Sequence, residues 1–219
     1  MIKYFTIMGE RCSGTNFLEQ AILKNFDIEL IWHYGYKHFF GFYDFNTKNP
    51  IISNDDEVLF LSIVREPISW LHSFYQKKYH IPNKNKENIN NFLFNEFFSL
   101  DDNNKLINED LHINTKKKYK NMFELRYIKN NYLINHQKRV KNYLLIRYED
   151  LKNNYEQILS FIEIKFKLKK MNHDFIKINT YKGLGNKLFI EKNLNFSQKI
   201  KNIIKKNINY EQEKSLGYI

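Results

Sequence analysis

Met8-Gly9-Glu10-Arg11-Cys12-Ser13-Gly14-Thr15-Asn16-Phe17 is the segment from which the architecture can be built. It follows Tyr4-Phe5-Thr6-Ile7, an apolar run of strand character. It precedes Phe17, Leu18, Ala21 and Ile22, whose spacing suits one face of a helix. The order is therefore strand, glycine-bearing turn, helix. Gly9 and Gly14 sit five apart, as in a phosphate-binding loop, but Thr15 and Asn16 stand where Lys and Ser/Thr complete the nucleotide-triphosphatase signature. Such a turn aims backbone N–H groups, a helix N-terminus and the hydroxyls of Ser13 and Thr15 at one point, which suits a phosphate or a sulfate. It lacks the lysine that reaches the terminal phosphates of a nucleoside triphosphate.

The rest of the chain repeats this grammar. Residues 3–8 read as the first strand, 16–25 as the first helix, and Ile28 to Trp32 as a short second strand. His33 to Gly41 fits neither period and is read as a loop. Glu57 to Val64 is a near-continuous apolar run ending at Arg65, as expected of a strand covered on both faces in a parallel sheet. Pro67 suits a first helical turn, and Ile68, Leu71, His72 and Tyr75 continue at helical spacing. Trp70, Phe74 and Tyr75 are read as core. Ile81 to Asn91 is read as loop and Phe92 to Phe98 as a short helix. Ser99 to Tyr119 is a polar insert without periodicity, a place for a lid or for acceptor binding. Met122, Leu125, Arg126, Ile128, Lys129, Tyr132 and Leu133 predict a longer helix. Asn142 to Arg147 reads as a third strong strand, with a helix carrying Tyr155, Ile158, Leu159 and Ile162 after it. Tyr181 to Asn186 is a glycine-bearing loop, and Ser197 caps a last helix. Strands alternating with helices imply an α/β fold: a mainly parallel central sheet flanked by helices, a P-loop-like three-layer sandwich. In such sheets ligands sit beyond the carboxyl ends of the strands, where Gly9–Phe17, Arg65–Ser73 and Arg147–Tyr148 all fall.

The chain has 219 residues, with 42% hydrophobic and 16% aromatic content, which is enough for one well-buried domain over 1–219. The net charge of +11 favours polyanionic partners, although scattered lysines also serve simply to solubilise a surface. Cys12 is the single cysteine, so no intrachain disulfide and no cysteine-rich zinc site can form. The histidines make no metal-like pair, and no catalytic metal is expected. No signal-peptide pattern and no run long enough to span a bilayer are seen, so the expectation is a cytoplasmic, soluble protein.

Taken together these segments resemble the sulfotransferases that use 3′-phosphoadenosine 5′-phosphosulfate (PAPS) and release 3′-phosphoadenosine 5′-phosphate (PAP). Ser13-Gly14-Thr15-Asn16-Phe17 is similar to that family's loop for the 5′-phosphosulfate. Arg65, Pro67 and Ser73 have the spacing of the Arg and Ser that hold the 3′-phosphate there. Tyr148-Glu149-Asp150-Leu151 looks like the segment whose tyrosine lies near the adenine, and Lys182-Gly183 like the late loop that also grips the 3′-phosphate. The resemblance implies a donor site made of Arg11, Cys12, Ser13, Gly14, Thr15, Asn16, Phe17, Arg65, Ser73, Tyr148, Lys182 and Gly183. Many cytosolic members carry a lysine directly before Ser-Gly-Thr. Here Cys12 holds that position and Arg11 stands one earlier.

Sulfuryl transfer, like phosphoryl transfer, needs alignment and charge stabilisation. Arg11, with Lys37 as a second cation, is assigned to the transferring group. Its acceptor must lose a proton. His38 is the first candidate base, His33 the second and Glu10 the third. The resemblance implies a hydroxyl acceptor; a carbohydrate is favoured over a small phenol or a protein tyrosine by the polar 99–119 insert, the basic charge and the lack of a long apolar pocket signature. The other readings are a P-loop kinase or nucleotide hydrolase, a basic nucleic-acid-binding module, and a sulfotransferase fold made inactive by Cys12.

Overall fold

The computed structural model describes residues 1–41, 55–180, 188, 190 and 196–219. Four strands form one sheet: β1 (Tyr4–Met8), β2 (Glu29–Leu30), β3 (Val58–Val64) and β4 (Tyr143–Arg147), in the order β2-β1-β3-β4. Every neighbouring pair is parallel. Met8 pairs with Ser62, and Val64 with Arg147, so β1, β3 and β4 end side by side. All seven residues of β3 are buried. That explains its unalternating apolar run, since helices cover both faces of the central strand.

The helices are α1 (Thr15–Leu23), α2 (Pro67–Lys77), α3 (Asn83–Lys86), α4 (Ile89–Phe94), α5 (Met122–His136), α6 (Tyr148–Asn153), α7 (Tyr155–Phe166), α8 (Gln198–Asn207) and α9 (Tyr210–Ser215). Leu59, Leu61 and Ile63 of β3 pack with Leu18, Ala21 and Ile22 of α1 and with Leu159 and Ile162 of α7. Val58, Phe60 and Val64 face the opposite way, toward Tyr132 and Leu133 of α5. A third cluster joins Trp70, Leu71 and Phe74 of α2 to Phe92, Leu93, Met122, Leu125 and Ile204. Each such Leu, Ile or Phe contributes roughly 1.5–3 kcal/mol through burial. The expected α/β class, with a parallel sheet between helical layers, is the one found.

Several local readings need correction. Ile81 to Asn91 is not all loop: α3 lies within it, and α4 starts at Ile89 because the Asn88 side chain accepts from the Asn91 N–H at 2.9 Å. The helix expected to reach Phe98 stops at Phe94, because Phe97 exchanges backbone hydrogen bonds with Tyr119. The polar insert is anchored at several points: Ser99, Asp110 and Tyr119 are fully buried, and Asn108–Asp110 makes one 3-10 turn.

Candidate functional site

The site grows from two adjacent crossover corners. At the end of β1 the chain turns through Gly9–Gly14 into α1. A Cβ on Gly9 would lie 2.7 Å from the Ile63 carbonyl oxygen, so this turn presses against β3 more closely than any side chain allows. Gly14 has φ +102°, and its Cβ would meet Tyr148 Cδ2 at 2.4 Å. Only glycine satisfies both conditions at that place. Gly14 is also the N-cap of α1, which has no side-chain cap bond among the described residues. α1 shares this with α3, α6 and α7, whereas Glu66 accepts from Ile68 and Ser69 at the start of α2, and Asn121 from Phe123 and Glu124 at the start of α5. The first-turn N–H groups of α1 thus point outward without a capping oxygen, an arrangement suited to an anion.

At the end of β3, Arg65 leans over the same hollow. Its guanidinium carbon lies 4.5 Å from the Tyr148 ring centroid, and NH1 donates to the Cys12 carbonyl at 3.1 Å. Its Nε is buried without a hydrogen-bond partner among the described residues. The corner is held from behind, since Arg126 donates to the Arg65 carbonyl at 3.0 Å while paired with Glu213 at 2.6 and 2.7 Å. The Trp70 indole N–H donates to the Arg11 carbonyl at 2.8 Å, joining α2 to the glycine-bearing turn.

A cavity of about 630 Å³ opens between these corners. Arg11, Cys12, Gly14, Thr15, Asn16, Phe17, His38, Arg65, Ser73 and Tyr148 all line it, so most of the sequence-derived candidates converge. Phe17 stands edge-on to Tyr148 at 6.1 Å and tilted against Tyr155 at 5.9 Å, which makes an aromatic wall. Lys182 and Gly183 lie outside the described residues.

Four assignments change. Arg11 reaches the lining, but its guanidinium turns inward to Glu10 at 2.9 Å, Ser99 at 2.6 Å and Asp110 at 2.5 Å. Burial works against its charge; Asp110 and Glu10 outweigh that and raise its pKa. It is a structural cation, not one aimed at a transferring group. Ser13 folds back, donating to the Glu10 carbonyl at 2.5 Å, and does not line the cavity. Lys37 donates to Asn16 at 2.7 Å and Glu19 at 2.9 Å, so it fixes Asn16 rather than entering the hollow. His33 does not line the cavity either.

His38, by contrast, does line the cavity. Its Nδ1 lies 2.7 Å from the Gly9 carbonyl oxygen, an acceptor only. The ring proton therefore sits on Nδ1, which leaves the Nε2 lone pair available. Burial lowers its pKa to about 3, with Glu10 pulling the other way, so the imidazole is neutral at ordinary pH. Glu10, the third candidate, is committed to Arg11 and Lys129. Burial pushes its carboxyl up, but Lys129, Arg11 and His38 outweigh this and hold it at about 2. Burial also pushes the Cys12 thiol up, against a hydrogen bond with Ser73.

Lys77, Tyr79, Lys152, Tyr155 and Lys177 also line the cavity, and the sequence reading did not single them out as site residues. Two deeper residues were also missed, Asp110 and Lys129. Lys129 left a signal: a charge at an inward helical position between Leu125 and Leu133.

No family model and no curated protein sequence matches the chain. Among solved structures, the chain is similar to mouse sulfotransferase SULT7A1 complexed with PAP, at 16% identity and a TM-score of 0.39. The match covers 77% of this chain and 59% of that one, so the present chain spans less than two thirds of the mouse protein's length. Among the described residues no helix is long and apolar enough to cross a membrane.

Proposed function

We propose that the cavity binds PAPS and that the protein transfers its sulfuryl group to a hydroxyl, with a carbohydrate as the acceptor. The observation that carries this reading is the convergence on one hollow, which Ser73 also lines, of a helix start and an Arg65 Nε that, among the described residues, have neither a side-chain cap nor a hydrogen-bond partner. Two anion-seeking corners in one cavity call for a ligand with two separated anionic groups. The volume lies in the range of ordinary small-ligand pockets, about 300–1,000 Å³. The Phe17–Tyr148–Tyr155 wall supplies apolar surface for a base.

In this reading the first-turn N–H groups of α1, with Thr15, would hold the 5′ end. Arg65 and Ser73 would hold the 3′-phosphate and set the register. Bound PAPS would supply an activated sulfuryl group: the acceptor oxygen forms the new S–O bond, and the S–O bond to the 5′-phosphate breaks with its electron pair. The acceptor's proton goes to Nε2 of His38. Fixed N–H donors at the leaving phosphate are worth about 3 kcal/mol each when removed one at a time. The net charge of +11, and Lys77 and Lys152 on the cavity wall, favour an acidic saccharide as acceptor.

Calorimetry with PAP against ATP–magnesium tests the donor site. PAP is expected to bind about tenfold tighter or more, and Arg65→Ala to weaken it by at least about 2 kcal/mol, the order of a charge-assisted hydrogen-bonded contact. Equal affinity for ATP–magnesium, or an Arg65→Ala variant with wild-type PAP affinity, overturns the reading. Labelled donor incubated with a panel of saccharides, phenols and tyrosine peptides then identifies the acceptor.

A further inference from the structure

Beneath the glycine-bearing turn lie two carboxylates and two cations, Glu10, Asp110, Arg11 and Lys129, of which Arg11 also reaches the cavity wall. Lys129 of α5 is 1% exposed. Its ammonium group has three N–H donors, and each goes to a different segment. One meets Glu10 Oε2 in the turn at 2.5 Å, one the carbonyl oxygen of His38 at 2.9 Å, and one the carboxylate of Asp110 in the 99–119 insert. Asp110 also accepts from Arg11 at 2.5 Å and from the Ser99 hydroxyl, and Arg11 closes the ring on Glu10 at 2.9 Å. The charges of Glu10, Asp110, Arg11 and Lys129 cancel.

We propose that Lys129 is a positioning residue for the transfer reaction: it locks the backbone of His38 to the glycine-bearing turn and, by balancing Glu10 and Asp110, keeps the ground behind the imidazole electrically neutral. This rests on the reading of His38 as the proton acceptor. The geometry carries it, because the lysine that holds the His38 carbonyl also holds Glu10, one residue from the Gly9 carbonyl to which the His38 ring is bonded. The charged groups acting on the imidazole are Glu10 and Arg11 from the turn and Lys37 from its own loop. The edge-on Tyr36 ring stands 5.5 Å away. Lys129 from α5 and Asp110 from the insert act through Glu10 and Arg11. The insert read from sequence as a lid or acceptor surface thereby becomes a brace, because Asp110 supplies half of the negative charge.

The test is a histidine-selective NMR titration of the full chain, with kinetics alongside. In the wild type the His38 resonance is expected to remain that of a neutral ring down to the pH at which the fold is lost. Lys129→Met leaves the cluster with one excess negative charge and should raise the His38 midpoint by about one pH unit or more. Asp110→Asn leaves one excess positive charge and should not raise it. In Lys129→Met, kcat should fall about tenfold or more, with PAP affinity changed less than about threefold, as for a displaced base. The neutral pair Lys129→Met/Asp110→Asn should return the midpoint toward wild type while kcat stays low, since the tie to the His38 carbonyl is still missing. A folded Lys129→Met protein with the wild-type His38 titration overturns the proposal. If that variant does not fold, wild-type kcat in the double variant overturns it. The titration requires no turnover, so a wild type without transferase activity would defeat the transfer reading while the imidazole still decides the role of Lys129.

Discussion

Gly14 is where backbone geometry and ligand chemistry meet most tightly. Its φ of +102° disfavours any side chain, and a Cβ would press into the Tyr148 ring at 2.4 Å. Placing an L-residue there costs about 1–2 kcal/mol for the backbone alone. Moving Tyr148 would also disturb the face on which Arg65 rests. Gly14→Ala is therefore expected to lower unfolding stability by about 2 kcal/mol and to weaken PAP about tenfold or more, read by thermal melts and calorimetry. Unchanged PAP affinity would detach this turn from the donor site. Residues of this kind were legible in the sequence because their constraint is local: a glycine between a strand and a helix, or Arg65 and Ser73 on one short crossover. Arg11 and Lys37 were not, because sequence type does not tell where a long side chain points. Asp110 lies 99 positions from the Arg11 it captures, and Lys37 lies 21 from Asn16.

Among the helices, α1 and α2 begin at neighbouring corners but end their polarity differently. The first turn of α2 is closed by the Glu66 carboxylate, which accepts from Ile68 at 3.1 Å and Ser69 at 2.6 Å. The start of α1 offers glycine instead. A ligand carboxylate, phosphate or sulfate is the natural completion of α1 and adds nothing to the first turn of α2. Hydrogen exchange should therefore show the amides of residues 14–18 slowing about tenfold or more on addition of PAP, while those of Ile68 and Ser69 stay as they were. Equal slowing at both corners would mean general tightening rather than occupancy of the turn. The strand–turn–helix units were readable because β1, β3 and β4 each carry their own apolar run and end at a recognisable corner. The short helices α3 and α4 were not, because an Asn-rich stretch offers little periodicity, and α4 depends on a single cap from Asn88.

Across the whole molecule, buried ionisable groups couple the site to the stability of the fold. Burial holds His38 down to about 3 and His136 to about 4, against 6.5 for an ordinary histidine. As pH falls below 6.5 the unfolded chain takes up these protons before the folded one does, so ν_U exceeds ν_N and stability declines. The contribution is complete above 6.5 and is lost progressively toward 3–4. Glu10, held at about 2 against 4.5, adds a second loss that begins only below 4.5. Between pH 7.5 and 5.5, His38 and His136 each remove about 1.4 kcal/mol at one unit below their unfolded pKa. For a chain of this size, about 3 kcal/mol corresponds to roughly 6–12 °C in Tm. Melts across that interval should fall by several degrees on acidification, and His38→Gln should remove about half of the slope because glutamine takes up no proton. A flat Tm from pH 7.5 to 5.5 would show that neither ring is held neutral by burial, and would take the neutral-base role away from His38 without touching the anion-binding corners at Gly14 and Arg65.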